Sequence, residues 1–224
     1  MRALLLDLDD TLYDYAPVER RARAWLLAQV AGDLKLPLGE VESLFDAARA
    51  KVKERVGKVA ASHSRLLYVS ELVYAANRPD ALRLVRGWER GFWETYLRAA
   101  TLRAGARELL VGWRAQGNKV AMVTDLILEV QLSKLEAFGL FELVDVLVAS
   151  EEVAREKPAR DPFELAIQRL GVPKEACVVV GDSVHRDGEG ARAMGLPYLR
   201  AQSSESPGEG MSLEDIARAL QVVP

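Results

Sequence analysis

The sequence is poor in the residues that thiol and zinc chemistry need. It has one cysteine, Cys177, so no disulfide can form within the chain, and a reducing cytoplasm is the expected setting. Its two histidines, His63 and His185, have no partner at zinc-ligand spacing. Apolar runs are short. Residues 3–6 are cut off by Asp7, Asp9 and Asp10, and no stretch approaches the roughly 20 residues of a membrane helix. Neither a secretory leader nor a membrane partner is expected. Thirty Lys and Arg face 33 Asp and Glu, for a net charge of -3 without a basic stripe. That removes the electrostatic case for a nucleic-acid partner. No Gly-x-Gly-x-x-Gly follows the first apolar segment and no Walker sequence is present, so the usual dinucleotide and P-loop cradles are excluded.

What is present is a large apolar content, half of 224 residues, enough for a sizeable core. Residues 3–8, 118–124, 144–149 and 177–181 read as strands, with a weaker one near 198–200. They are apolar throughout rather than alternating, the pattern of a parallel sheet covered on both faces. Between them lie amphipathic helical stretches. In 105–116 the face is Leu109, Leu110 and Trp113. In 129–138 it is Leu128, Gln131 or Leu132, Leu135 and Phe138, and in 161–170 it is Phe163, Ala166, Ile167 and Leu170. Gly117, Gly139 and Gly171 stand where these helices should stop. The alternation predicts an α/β fold, a doubly wound, Rossmann-like parallel sheet.

Residues 16–99 break the alternation. They predict four helices, near 17–31, 40–56, 62–76 and 79–98, the last with Leu82, Val85, Phe92, Trp93 and Tyr96 on one face. The expected organisation is a core of 1–15 and 99–224 with an all-helical cap, 16–98, inserted after the first strand. Such an insert is expected over the carboxyl ends of the strands, where open α/β sheets bind ligands. Residues 202–211 read as a polar loop, and Ser212 with Asp215 as the cap of a last helix at 213–220.

The strand ends carry the chemistry. The first ends in Asp7-Leu8-Asp9-Asp10-Thr11, the second in Thr124-Asp125, and the fourth in Gly181-Asp182-Ser183 with Asp187 shortly after. Lys157 follows the third. A parallel sheet brings these ends to one edge. Clustered carboxylates repel each other unless a cation or a proton intervenes, and an all-oxygen donor set favours magnesium over zinc. Lys157 has the charge a phosphoryl oxygen seeks, and Thr124 can donate a hydrogen bond to one. Cys177, opening a buried strand, is expected to be an inert core residue.

On these residues the chain resembles the haloacid dehalogenase-like hydrolases, in their phosphatase branch with an inserted helical cap. Asp7-Leu8-Asp9-Asp10-Thr11 matches the first motif, Thr124 the second, Lys157 the third, and Gly181-Asp182 with Asp187 the fourth. The segment 125–134 also looks like a subgroup with a Gln and a Lys in the helix after the second motif. The resemblance implies a magnesium-dependent phosphomonoester hydrolase of small phosphorylated metabolites; a monomer or a homodimer is expected, and the aromatic-rich insert could contribute to a dimer interface. Asp7 would be the nucleophile and Asp9 the general acid and base. Thr124 and Lys157 would grip the phosphoryl group. The expected substrate contacts are Thr11, Thr124, Asp125 and Lys157, with Thr11 chiefly steadying the turn that carries Asp9. The expected metal set is Asp7, Asp9 (through its backbone carbonyl), Asp182 and, through water, Asp187. A phosphosugar mutase, a 2-haloacid dehalogenase and a non-enzymatic binding subunit are the alternatives the same scaffold leaves open. Asp9 weighs against the dehalogenase.

Overall fold

The structure, a computed structural model, describes residues 1–204 and 208–222. Residues 205–207 of the expected polar loop lie outside the described residues. The chain divides into two units, Met1–Ala16 with Ala100–Pro224, and Pro17–Ala99.

The first unit is built on one five-stranded parallel sheet. β1 is Ala3–Leu6, β2 Lys119–Thr124, β3 Val146–Ala149, β4 Cys177–Gly181 and β5 Tyr198–Arg200, in the order β3-β2-β1-β4-β5. β1 lies in the middle because its four residues are wholly buried and bonded on both sides. Leu6 pairs with Met122 and with Val180. Asp7, Thr124 and Asp182 therefore leave the sheet at the same edge. The chain builds outward through β2 and β3, then returns past β1 to β4 and β5. The strand order thus reverses beside β1, the place where open sheets leave a crevice.

The second unit holds four helices: α1 (Tyr15–Leu34, beginning in the first unit), α2 (Leu38–Val56), α3 (Arg65–Ala75) and α4 (Val85–Ala99). α2 packs on α3 and α3 on α4. The fourth helix starts later than its apolar pattern suggests. Pro79–Leu84 forms a 3-10 segment, Leu82 is exposed, and the buried face of α4 is Val85, Trp88, Phe92 and Tyr96. Among the described residues no helix is long and apolar enough to cross a membrane.

The sheet's own helices are α5 (Ala106–Ala115), α6 (Leu128–Ala137), α7 (Asp161–Leu170), α8 (Glu189–Met194) and α9 (Leu213–Ala219). α7 packs Phe163, Ala166 and Leu170 against Leu5, Val123 and Val179 on one face of the sheet. Gly171 ends α7 in the left-handed conformation, at φ 63°, which a residue without Cβ adopts at little cost. Ser212 Oγ accepts from the Asp215 amide at 3.0 Å and caps α9. α6 takes one of the two alternatives its pattern allowed. Leu132 faces outward, whereas Gln131 and Lys134 are completely buried. The side chains that reward this burial lie at the carboxyl edge of β1.

Candidate active site

Asp7 is still held on the ladder, its amide bonded to the Val180 carbonyl at 2.9 Å. Both oxygens of its carboxylate are fixed. Oδ2 accepts from Thr11 Oγ1 at 2.8 Å and Oδ1 from Lys157 Nζ at 2.6 Å. The chain then turns through Asp10, at φ 63°. Thr11 also accepts from the Asp182 amide at 3.1 Å. Its hydroxyl is fully buried and used in both directions, so Thr11 positions Asp7 rather than facing a substrate. Lys157 is similarly committed. Its ammonium reaches Asp7, the Val123 carbonyl at 3.0 Å and Asp187 Oδ1 at 2.6 Å. An ammonium has three N–H bonds, and all three end on protein. Through these bonds Lys157 clamps Asp7 and Asp187 together.

Asp9 sits in a different environment. Lys134 Nζ donates to its two oxygens at 2.6 and 2.8 Å, the Tyr13 hydroxyl donates to Oδ1, and Gln131 Nε2 approaches Oδ2 at 3.3 Å. The Tyr13 ring is steadied by Phe138, 5.1 Å away between centroids. Gln131 Nε2 also donates to Thr124 Oγ1 and to the Asp125 carbonyl, both at 2.8 Å. Thr124 thus accepts from Gln131, and its own proton has only a long 3.4 Å contact with the Asp125 carbonyl. That leaves the hydroxyl available to a ligand oxygen.

These partners push the two carboxyls apart. Burial, reinforced by Asp187 and Asp9, outweighs Lys157 and pushes the Asp7 carboxyl up to about 6. Burial also acts on Asp9, but the charge and hydrogen bonds of Lys134, with Tyr13 and Gln131, hold it below the usual carboxylate range. The two carboxyls of one turn are thus held in contrasting electrostatic environments. Burial, with Asp7 beside it, pushes Asp182 up to about 6, and burial raises Asp187.

Asp187 lies on a single π-helical turn, Val184–Gly188, after β4. Its Oδ1 belongs to Lys157 and its Oδ2 accepts from the Ser183 amide at 3.2 Å. A Cβ on Gly181 would overlap the Asp187 carboxylate, so β4 must end in glycine for Asp187 to fold back. One oxygen each from Asp7, Asp182 and Asp187 lie within 4.8 Å of one another. Asp9 is not in that group, and its carboxylate is engaged with Lys134. A small cavity opens at this edge, lined by Asp7, Asp9, Thr124, Asp125, Asp182, Arg186 and Asp187. Of the residues expected from sequence, Thr11 and Lys157 lie behind this lining. Arg186 is a lining residue that the sequence did not mark, and Tyr13 and Lys134 stand beside the lining as partners of Asp9. The one usable signal was the Gln and Lys three residues apart on a helix. His185 is exposed and pairs with Glu189. Cys177 is buried, and burial pushes its thiol up to about 11, as suits an unreactive core residue.

A family model described as haloacid dehalogenase-like hydrolase matches residues 1–195. The ribulose-1,5-bisphosphate 5-phosphatase of Halopiger xanaduensis is 38% identical over 91% of this chain and 85% of its own length. The plasmid phosphoglycolate phosphatase of Cupriavidus necator is 32% identical over 87% and 78%. Among solved structures, a 2-haloacid dehalogenase from Pseudomonas syringae superposes with a TM-score of 0.77 at 21% identity, covering 99% of this chain and 98% of that one. At that identity the likeness speaks for the fold alone.

Proposed function

The chain belongs to the haloacid dehalogenase-like hydrolases and is a phosphatase of that family; from this premise we propose that it hydrolyses small phosphomonoesters through an aspartyl phosphate formed on Asp7. The observation that carries the reading is the state of Asp7. It lines the cavity, with one oxygen fixed by Lys157 and the other by Thr11, beside a second carboxylate in a contrasting environment.

The donor set fits a divalent cation. Asp7, Asp182 and Asp187 offer only hard oxygens, and burial, reinforced by the neighbouring carboxylates, raises all three. Asp7 and Asp182 would hold magnesium directly. Asp187, whose oxygens already have partners, would act through water, and the Asp9 carbonyl would complete the protein's share. When bound, the ion supplies neutralising charge at the carboxylates and at the transferred phosphoryl group.

The rest is done by the chain. Lys157 and Thr11 aim Asp7, whose oxygen attacks phosphorus as the bond to the leaving oxygen breaks. The proton for that oxygen comes from Asp9. Lys134 keeps Asp9 ionised in the free enzyme, and the arriving phosphoryl dianion, a like charge, raises its affinity for a proton. After departure Asp9 is again a carboxylate. It takes a proton from water, which attacks the aspartyl phosphate, freeing phosphate and restoring Asp7. Thr124, oriented by Gln131, donates to a phosphoryl oxygen. The helical unit 17–99 would serve as a cap. The substrates named for the relatives, ribulose-1,5-bisphosphate and phosphoglycolate, indicate the size class to try first. A phosphate-release screen over small metabolites with magnesium tests the reading. Rapid release from such esters, abolished by chelation, is expected, and full activity in excess chelator would refute it.

A further inference from the structure

β2 ends at Thr124, and the turn that follows it is strained. Leu126 has a φ of 134°, a conformation that a residue with a Cβ rarely adopts. The segment after β3 locks it in place. The Leu126 amide donates to the fully buried Ser150 Oγ at 3.0 Å, and the Leu128 amide donates to Glu151 Oε2 at 2.8 Å. Strain that the surroundings enforce in this way clusters at functional sites. The residue it adjoins is Asp125, in the lining of the catalytic cavity. Asp125 Oδ1 accepts from the Lys157 amide at 3.0 Å, and the Asp125 carbonyl accepts from Gln131 Nε2 at 2.8 Å. The Lys157 ammonium donates to the Val123 carbonyl at 3.0 Å and to Asp7 Oδ1 at 2.6 Å. Lys157 is therefore held at its backbone and at its tip by the same strand end. We infer that Asp125 is a positioning residue: locked by the strained Leu126 turn, its carboxylate fixes the Lys157 backbone and so sets where the ammonium meets Asp7 and the phosphoryl group. This rests on the phosphatase reading and adds to it a residue that acts through another.

The chemistry explains why such a strut is needed. A lysine carries its charge on a flexible four-carbon stem, so the ammonium is placed well only if the backbone beneath it is fixed. The other oxygen of Asp125, Oδ2, is buried without a hydrogen-bond partner among the described residues. The acceptor turned to Lys157 is thus what this side chain contributes, and an amide oxygen at the same place would serve as well.

The test compares Asp125→Ala, Asp125→Asn and Ser150→Ala with the unaltered enzyme at saturating magnesium. The readouts are kcat and KM for p-nitrophenyl phosphate, magnesium affinity and thermal unfolding. Asp125→Ala should lower kcat by roughly 10- to 100-fold, the scale of misplacing a reacting group by about 1 Å, with magnesium affinity unchanged. Asp125→Asn keeps the acceptor and should recover most of the loss. Ser150→Ala, which cannot touch a substrate, should lower kcat in the same direction by less, and it carries the test if Asp125→Ala does not fold. The inference is overturned by an unchanged kcat in the alanine variants, by an Asp125→Asn protein as slow as Asp125→Ala, or by a loss of magnesium affinity that accounts for the whole change. If the unaltered protein releases no phosphate, the phosphatase reading fails and this inference with it. If it does and folded Asp125→Ala matches it, only this inference fails.

Discussion

In the helical unit, Glu71 is buried beside two cations, Lys51 at 2.6 Å and Arg55 at 2.9 Å. Their hydrogen bonds hold its carboxyl below the usual range. Arg65, also buried, donates to the His63 carbonyl and lies over the rings of Tyr68, Phe92 and Trp93. At the carboxyl edge of the sheet the arithmetic runs the other way. Asp7 and Asp187 share one ammonium, with Asp182 close by, and all three carboxyls are raised. The same chain therefore supplies an excess of cation to a buried carboxylate in one unit and a deficit in the other. Satisfied charge holds a structure together. Unsatisfied charge at a strand end waits for something to arrive.

The contrast is broken most sharply at Lys157. Lys157→Met leaves Asp7 and Asp187 buried without their shared cation and should cost about 3–5 kcal/mol, the usual penalty for removing one partner of a buried pair. Urea unfolding without magnesium measures this, and adding magnesium should restore part of the loss. Unchanged stability would mean that the carboxylates do not depend on that clamp.

A second test concerns pH. The raised Asp7 and Asp182 carboxyls, both at about 6, bind protons more tightly in the folded than in the unfolded chain. Their contribution to the stability of the metal-free protein is complete below about pH 4, the ordinary carboxylate value, and is lost as pH rises through 6. Magnesium must displace those protons. Its affinity should be flat above about pH 7 and fall below pH 6, by roughly tenfold per pH unit for each proton displaced. The thermal stabilisation by magnesium should accordingly be larger at pH 7.5 than at pH 5. Equal stabilisation at both would contradict the assigned ligands.

The smallest effect is expected in the helical unit. Glu71→Gln should change unfolding free energy by no more than about 1 kcal/mol, because Lys51 and Arg55 are largely exposed. Magnesium should leave that change unaltered. A loss as large as that of Lys157→Met would erase the distinction between the units.

Much of this was legible before any coordinates. The five strands announced themselves because strands buried on both faces are apolar throughout, and β4 and α7 have the bounds their patterns suggested. Glycines ended the helices where expected. The carboxylates were legible because the parallel sheet converts separate strand ends into one edge. The second layer was harder. Lys134 is marked by the resemblance to the subgroup with a Gln and a Lys in this helix, but its partner Asp9 lies 125 residues earlier, so the pairing is not legible locally. The apolar pattern left Gln131 and Leu132 open for the buried face of α6, and it is Gln131 that is buried. Tyr13 turns its hydroxyl to Asp9, which nothing in its local sequence marks. Lys157 is legible from its charge and its match to the third motif, but neither reveals which acceptors its three N–H bonds meet. Arg186 carried no signal, because nothing local distinguishes it from any other arginine in a loop.

The central claim is that Asp7 becomes phosphorylated while Asp9 manages protons. An aryl phosphate needs little protonation of its leaving group, so it should still transfer phosphate to Asp7 in an Asp9→Asn variant. Turnover of other esters in that variant should fall by roughly 10²–10⁴, the usual share of a general acid–base group. The decisive measurement is the mass of acid-quenched protein after incubation with p-nitrophenyl phosphate and magnesium. The Asp9→Asn protein should carry one phosphoryl group, mapped to Asp7, and the Asp7→Asn protein none. Phosphate on any other residue, or full turnover by a folded Asp7→Asn protein, would contradict the account.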